Sequence, residues 1–171
     1  MALVGNLASP FQNKNLRFGG IIDTAYNTTM KLPSIVIDTN VIITALRSKR
    51  GASAKLLPLV GTGRFDIHIS VPLVLEYEEV LLRQRVSLGL TLEDVADLVD
   101  GLSALAHHHQ IYFLWRPYLR DKKDEMVLEL AVVARCDYII TYNKNDFKGS
   151  DKFGIEVITP REFLEKLGEL S

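Results

Sequence analysis

The stretch Ser34-Ile35-Val36-Ile37-Asp38-Thr39-Asn40 decides the fold of this chain. Its first four residues suit a buried strand and lead directly into a carboxylate, a hydroxyl and an amide. A helix is predicted to follow at once, because apolar residues recur at helical spacing at Val41, Ile42, Ala45 and Leu46. The strand therefore delivers Asp38 to its C-terminal end, the edge where open α/β sheets bind ligands. A purely structural role is equally open at this point, since Asp38 or Thr39 also suits the capping position of the helix.

Strand and helix patterns alternate along the rest of the chain. Further strands are predicted at 65–70, 110–114, 137–141 and 155–158, with helices at 52–60, 73–85, 91–107, 124–135 and 161–167. The run His107-His108-His109 is interpreted as the solvated end of the fourth helix. Alternating strands and helices imply right-handed crossovers and a sheet covered on both faces. We therefore predict an α/β fold, a three-layer α/β/α sandwich with a mostly parallel sheet of five strands.

Length and composition fit one globular domain. The chain has 171 residues, of which 47% are hydrophobic and 24% charged. Residues 1–32 contain many turn-forming residues and no sustained periodicity, so we predict a mobile N-terminal extension followed by a single domain at 33–171. No apolar run approaches the roughly 18 residues of a membrane span, and no secretory signal pattern is present. The single cysteine, Cys136, fits a reducing compartment and is expected in the core, so we expect a cytoplasmic location without membrane partners.

The charge balance gives no general attraction to nucleic acid. Twenty basic and 21 acidic residues leave a net charge of −1. Binding of RNA or DNA would therefore need a local basic patch or a bound cation. Arg47, Lys49 and Arg50 follow the first helix and are the best candidates for phosphate contacts, although a solvated loop explains them equally well.

Acidic and amide side chains recur where the other predicted strands end. The C-terminal ends of parallel strands share one edge of the sheet, and so do the starts of the helices that follow them. Side chains far apart in sequence are therefore expected to gather near Asp38. Glu76 lies one turn into the third helix, and Asp124 lies at the start of the fifth helix. Thr141, Asn143 and Asp146 follow the fourth strand.

A divalent cation would explain such a cluster. Carboxylates held close together repel each other, and one of them resists ionisation unless a cation lies between them. Mg²⁺ and Mn²⁺ prefer these hard oxygen ligands, activate water and stabilise the transition state of phosphodiester cleavage. Each residue alone has a simpler explanation, since Asp124 favours a helix N-terminus, Glu76 suits a solvated helix face and residues 143–146 suit a turn. Their recurrence at the same point of successive strand–helix units favours the metal site.

Four segments, taken in order, resemble the motifs of the PIN-domain family. These metal-dependent ribonucleases include the toxins of many bacterial toxin–antitoxin pairs. The segments are 35–40, 70–81, 121–131 and 137–147, and the resemblance extends over about 32–167. It implies a PIN-like fold and a metal-dependent endoribonuclease acting on single-stranded RNA. It also implies RNA, an antitoxin protein and a second copy of the chain as partners.

The resemblance assigns a role to each candidate residue. Catalysis is expected from Asp38, Glu76, Asp124 and Asn143. Mg²⁺ or Mn²⁺ is expected to be bound by Asp38, Glu76, Asp124 and Asp146. Supporting roles around these ligands are expected for Thr39, Asn40 and Thr141.

One position departs from the family pattern. Many relatives carry aspartate two residues after the threonine of the fourth motif, where this chain has Asn143. An amide oxygen can coordinate a metal but adds no charge, so a catalytically weak PIN-fold module that binds RNA or protein is an alternative. A phosphatase of the haloacid-dehalogenase type is disfavoured, because Asn40 stands where that chemistry needs a second carboxylate as general acid.

Overall fold

The computed structural model describes residues 31–111, 118, 119 and 121–170. Residues 1–30, most of the predicted extension, lie outside this part of the chain. The strands are β1 Ser34–Ile37, β2 Asp66–Ser70, β3 His107–His109, β4 Tyr138–Ile140 and β5 Glu156–Ile158. The α-helices of the same part are α1 Thr39–Arg47, α2 Ala52–Leu56, α3 Val71–Leu88, α4 Leu92–Leu105, α5 Lys122–Val133 and α6 Pro160–Lys166. None of these helices combines the length and apolar character that a membrane crossing requires.

All five strands are parallel, in the order β3-β2-β1-β4-β5. The central strand β1 pairs with β2 on one side and β4 on the other, so that Ile35 lies opposite both Ile67 and Tyr138. Ile35 and Val36 are fully buried, as expected for a strand covered on both faces. The predicted α/β fold with a parallel five-stranded sheet is confirmed.

The order of the strands fixes the layers and the position of the site. From β1 the chain moves outward to β2 and β3, and it then returns to β4 and continues outward to β5 on the other side. Right-handed crossovers therefore place α1 and α3 on one face and α5 on the opposite face. The contacts agree, because α1 packs on α3 whereas α5 packs on β1, β2 and β4. The crossovers diverge between β1 and β4, which is where such sheets form ligand crevices.

The third strand lies earlier in the chain than predicted. β3 consists of the three histidines, and Gln110 and Ile111 follow it as coil, while residues 112–114 lie outside the described part. The prediction of a strand starting at Gln110 and the interpretation of the histidines as a solvated helix end are both wrong. The reason is tertiary, because β2 supplies the pairing in the register His68 to His107 and Ser70 to His109. Local periodicity carries no information about such a partner.

His68 of β2 lies against the side chains of β3. Its Nδ1 is 2.8 Å from Nε2 of His109, and its ring stacks on that of His107 with the centroids 5.1 Å apart. His107 also lies 3.5 Å from a carboxylate oxygen of Asp66. Burial, and then the neighbouring His109 and His107, lowers the pKa of His68 to about 4. The contact is therefore held in the neutral form, in which one ring nitrogen donates a hydrogen bond to the other.

Acidification is expected to destabilise this part of the sheet. Because the pKa of His68 is about 4 in the folded protein and near 6.5 when unfolded, the unfolded chain takes up the proton first. Stability present above about pH 6.5 is thus lost progressively as the pH falls toward 4. We expect the free energy of unfolding, measured with urea, to fall less from about pH 7.5 to about pH 5 in His68→Gln than in wild type. His108→Gln, at an exposed position, is the control, and equal pH dependence in wild type and His68→Gln would contradict the prediction.

Candidate active site

Asp38 lies directly after β1, where it is 9% exposed. It occupies the capping position of α1, but its side chain makes no capping hydrogen bond. Its Oδ2 instead accepts hydrogen bonds from Thr141 Oγ1 and Asn40 Nδ2, both at 2.6 Å. Burial raises the pKa of Asp38, although these donors and nearby backbone amides oppose the shift. The carboxylate is thus oriented by side chains, and the capping explanation of Asp38 is not supported.

Thr141 uses its full hydrogen-bonding capacity at this point. Its hydroxyl donates to Asp38 and accepts from Asn40 Nδ2 at 3.0 Å and from the backbone N–H of Asn143 at 3.0 Å. Asn40 also accepts at Oδ1 from the backbone N–H of Tyr142 at 3.3 Å. A hydroxyl has one donor and two acceptor positions, and all three are occupied. The end of β1 and the end of β4 are therefore joined through side chains as well as through the sheet.

Three more carboxylates influence one another at this edge. Burial raises the pKa of Asp124 to about 6, and Asp38, Asp121, Asp146 and Glu76 add to the shift in that order. Burial likewise raises the pKa of Glu76, against the effect of Lys123 and with a contribution from Asp38. Such mutual effects require the groups to lie close together. The structure thus brings Asp38, Glu76, Asp124 and Asp146 to one edge, as the sequence predicted.

Glu76 is held by a cation that the sequence analysis missed. Lys123 Nζ lies 3.7 Å from Glu76 Oε1, between the first turns of α5 and α3. The adjacent Tyr77 ties α3 to the end of β1, because its buried hydroxyl donates a hydrogen bond to the backbone carbonyl of Ile37. Lys123 stands between Asp121 and Asp124 in sequence, and this alternation of charge was its only signal. It supplies positive charge inside an otherwise acidic site.

Asn143 and Asp146, both predicted at the site, follow β4 within one short turn. A short 3₁₀ turn at Lys144–Phe147 follows Asn143, with a hydrogen bond from Asp146 N to Asn143 O at 3.0 Å. Asp146 raises the pKa of both Asp38 and Asp124. It also lines a cleft of about 640 Å³ together with Asp121, Asp124, Tyr118 and Lys148. Asn143 contributes its backbone N–H to Thr141.

The carboxylate oxygens of the cluster are suitable ligands for a hard divalent cation, although they do not converge on a single coordination position. Carboxylate oxygens are the ligands that Mg²⁺ and Mn²⁺ prefer, and a cation would relieve the repulsion that raises their pKa values. Two buried hydroxyls at the same edge, those of Thr39 and Ser70, also have no hydrogen-bond partner among the described residues. Within those residues, however, no group of three acidic, histidine or cysteine side chains is placed to hold an ion.

The predicted phosphate-binding residues are not gathered at the cluster. Arg47 ends α1 and donates to Gln84 Oε1 of α3 at 2.6 Å. Since α1 begins at the edge of the sheet, its nine residues carry Arg47 about 13 Å along the helix axis. Lys49 is exposed in the following turn. Arg50 lines a separate cleft of about 280 Å³ with Lys55 and Arg161.

Two further residues near the site escaped the sequence analysis. Glu125 is buried on α5, and its carboxylate accepts the backbone N–H groups of Tyr118 and Leu119 at 3.0 and 2.7 Å. It thereby holds the segment that lines the larger cleft. Tyr142 is exposed beside Thr141, and its hydroxyl lies 2.8 Å from Ser53 Oγ. Neither residue lies at a distinctive motif position, and their contacts depend on the tertiary fold.

Removing one charge from the cluster is expected to stabilise the metal-free protein. In the folded state ionisation of Asp124 is disfavoured, because its pKa is about 6 against an ordinary value of 3.8. The stability associated with the protonated group is present below about pH 4 and is lost as the pH rises through about 6. We therefore expect Asp124→Asn to raise the melting temperature in EDTA at about pH 8, and to do so less at about pH 4.5.

Glu78→Gln is the matched control for this experiment, because Glu78 is an exposed acid on α3. It removes the same charge outside the cluster and should leave the melting temperature nearly unchanged. A lower melting temperature for Asp124→Asn at about pH 8 would show that repulsion does not govern this carboxylate.

Comparison with known proteins supports the interpretation of both the fold and the sequence motifs. A family model described as the PIN domain matches residues 34–145, which include Asp38, Glu76, Asp124 and Asn143. Among solved structures the chain is similar to VapBC2 from Rickettsia felis bound to a DNA fragment from their promoter, with a TM-score of 0.53 and 15% identity. That match covers 72% of this chain and 98% of the other, and at this identity it shows the fold alone. No curated protein sequence matches. The chain belongs to the PIN-domain family.

Proposed function

We propose that this protein is a divalent-metal-dependent endoribonuclease that hydrolyses phosphodiester bonds of single-stranded RNA. The observation that carries the proposal is the cluster of Asp38, Glu76, Asp124 and Asp146, in which burial, with repulsion from the neighbouring carboxylates added to it, raises the pKa of Asp124 to about 6. A cluster of this kind is costly to fold unless a cation compensates the charge. Membership of the PIN-domain family makes nuclease chemistry the expected use of the site.

Each residue of the cluster has a role in this proposal. Asp38, Glu76, Asp124 and Asp146 would hold Mg²⁺ or Mn²⁺, which when bound supplies an activated water and stabilises charge at the phosphate. Thr141 and Asn40 hold Asp38 through hydrogen bonds to Oδ2 and so would keep this carboxylate in place for the ion. Lys123 neutralises Glu76, and its exposed ammonium group is suited to contact a phosphate of the substrate.

We also propose that an antitoxin protein binds this chain. The family resemblance supports this partner, and the similar structure from Rickettsia felis is itself a VapBC2 assembly on promoter DNA. An acidic nuclease site with an open cleft beside it can be blocked by a partner that supplies a cation or covers the cleft. Co-expression of the chain with its genomic neighbour, followed by purification and a cleavage assay, tests this part of the proposal.

A second function is favoured by a specific observation. No three ligand-type side chains in the described residues are placed to hold an ion, and Asn143 adds no charge to the fourth motif. These facts favour a PIN-fold module that binds RNA or a protein with weak catalysis. Binding of RNA without cleavage in any divalent metal would identify this second function.

Asp38→Asn is expected to abolish metal-dependent cleavage. The substitution keeps the shape of the side chain and removes the charge at the centre of the cluster, and we expect the rate of single-stranded RNA cleavage with Mn²⁺ or Mg²⁺ to fall about 100-fold or more, as for other losses of transition-state stabilisation. The measurement is a time course with a labelled oligonucleotide, and EDTA should stop the wild-type reaction.

Asp100→Asn is the matched control, because Asp100 is an exposed acid on α4. Its cleavage rate should equal that of wild type. Equal rates for Asp38→Asn and wild type would trace the activity to a contaminating nuclease and remove the proposed site. Wild-type binding without cleavage would favour the binding module.

The fourth acidic position is expected to be Asp146 rather than Asn143. Asp146 adds to the effect of burial in raising the pKa of Asp38 and Asp124, whereas Asn143 donates its backbone N–H to Thr141 and carries no charge. We expect Asp146→Asn to weaken Mn²⁺ binding, measured by calorimetry, about tenfold, because a charged ligand is replaced by a neutral one. Asn143→Ala should change binding less than Asp146→Asn. The reverse order would assign the fourth ligand to Asn143.

A further inference from the structure

Tyr142 is an exposed aromatic residue anchored at the edge of the acidic cluster. It follows Thr141, whose hydroxyl binds Asp38, and its own backbone N–H donates to Asn40, which also binds Asp38. The ring is 42% exposed. Its position is therefore set by the same hydrogen bonds that orient the central carboxylate.

The far end of the ring is anchored as well. The phenol hydroxyl lies 2.8 Å from Oγ of Ser53, which is fully buried on α2. A tyrosine held at both its backbone and its hydroxyl loses little conformational entropy when a ligand packs on its ring. The side chain is therefore held in one orientation at the end of β4 while the residue remains partly exposed.

The other exposed tyrosine of the described residues differs in this respect. Tyr118 is packed edge-on against Phe153, with Lys152 over its ring, and its hydroxyl donates to Gly149 O. No ring or cation contact of this kind covers Tyr142 within the same residues. The geometry thus leaves Tyr142 as the available aromatic surface at this edge.

The helix that anchors Tyr142, α2, also lines a cleft that contains several basic side chains. Ala52 and Lys55 of α2 line the cleft of about 280 Å³ that also contains Arg50 and Arg161. Arg161 is paired with Glu165, whereas Arg50 and Lys55 form no ion pair within the described residues. Phosphates need cations and bases need a π-face, and single strands are bound by surfaces that combine the two.

We propose that Tyr142 stacks a base of single-stranded RNA next to the cleaved phosphate, with the strand continuing past Ser53 toward Arg50 and Lys55. This rests on the proposed function, since it names how the substrate is held at that site. Stacking is tolerant of sequence, because every base has a π-face. Tyr142 thus positions the strand, and the acidic cluster acts on its backbone.

The test uses the full chain and a single-stranded RNA oligonucleotide that carries a terminal fluorophore and one 2-aminopurine. Binding is measured by anisotropy with Ca²⁺ in place of Mg²⁺, and stacking by quenching of 2-aminopurine. Tyr142→Leu is expected to weaken binding about fivefold or more and to lose the quenching, whereas Tyr142→Phe should retain both within about twofold. Val86→Ala removes an exposed apolar side chain from the end of α3 and should bind like wild type. Melting temperatures show whether each variant is folded.

Several outcomes separate this proposal from the proposed function. Wild-type affinity and quenching in a folded Tyr142→Leu would overturn stacking and favour a protein partner for the ring, while leaving the nuclease proposal intact. Failure of wild type to bind the oligonucleotide would also overturn it. Binding that depends on Tyr142 without cleavage in Mn²⁺ would support stacking and reject the nuclease. If wild type cleaves, Tyr142→Leu should mainly raise KM, and an unchanged KM would count against stacking.

Discussion

Two hydrogen bonds to one oxygen of Asp38 connect the fold to the site. Thr141 reaches this oxygen from the end of β4 and Asn40 from the first turn of α1. A buried carboxylate without donors would be strongly destabilising, so the donors are a condition for placing an acid at the end of a central strand. The bond from Thr141 exists only when β1 and β4 are paired in the observed register. The sheet and the site are therefore formed by the same pairing.

The acidic cluster opposes folding, and the rest of the structure compensates. Ile35, Val36, Ile139 and Ile140 are fully buried directly beneath the edge that carries the charges. Burial of this apolar core stabilises the fold and offsets the destabilising repulsion between the carboxylates at the edge. Lys123 offsets part of the charge at Glu76, whereas burial and the neighbouring carboxylates leave the pKa of Asp124 raised. Perturbed pKa values of this kind are concentrated at functional sites.

Sequence patterns correctly predicted the structural elements that are determined by residues close together in the chain. The buried strand at 34–37 and the helix after Asp38 both arise from residues a few positions apart, and both are present. The acidic edge followed from topology, because parallel strands bring their C-terminal ends together. The strand His107–His109 and the contacts of Lys123 and Tyr142 could not be found in this way. Each depends on a partner at least 39 residues away in the chain, or on packing between separate helices.

The departure at Asn143 has a structural explanation. The residue supports Asp38 through its backbone N–H, which binds Thr141 and would do so with almost any side chain at this position. The chain then makes a 3₁₀ turn and presents Asp146, which acts on Asp38 and Asp124. In the proposed metal site the two tasks of holding Asp38 and adding a negative charge are thus divided between Asn143 and Asp146, one turn apart. An amide at position 143 leaves both tasks intact, so that substitution alone is a weak reason to regard the site as inactive.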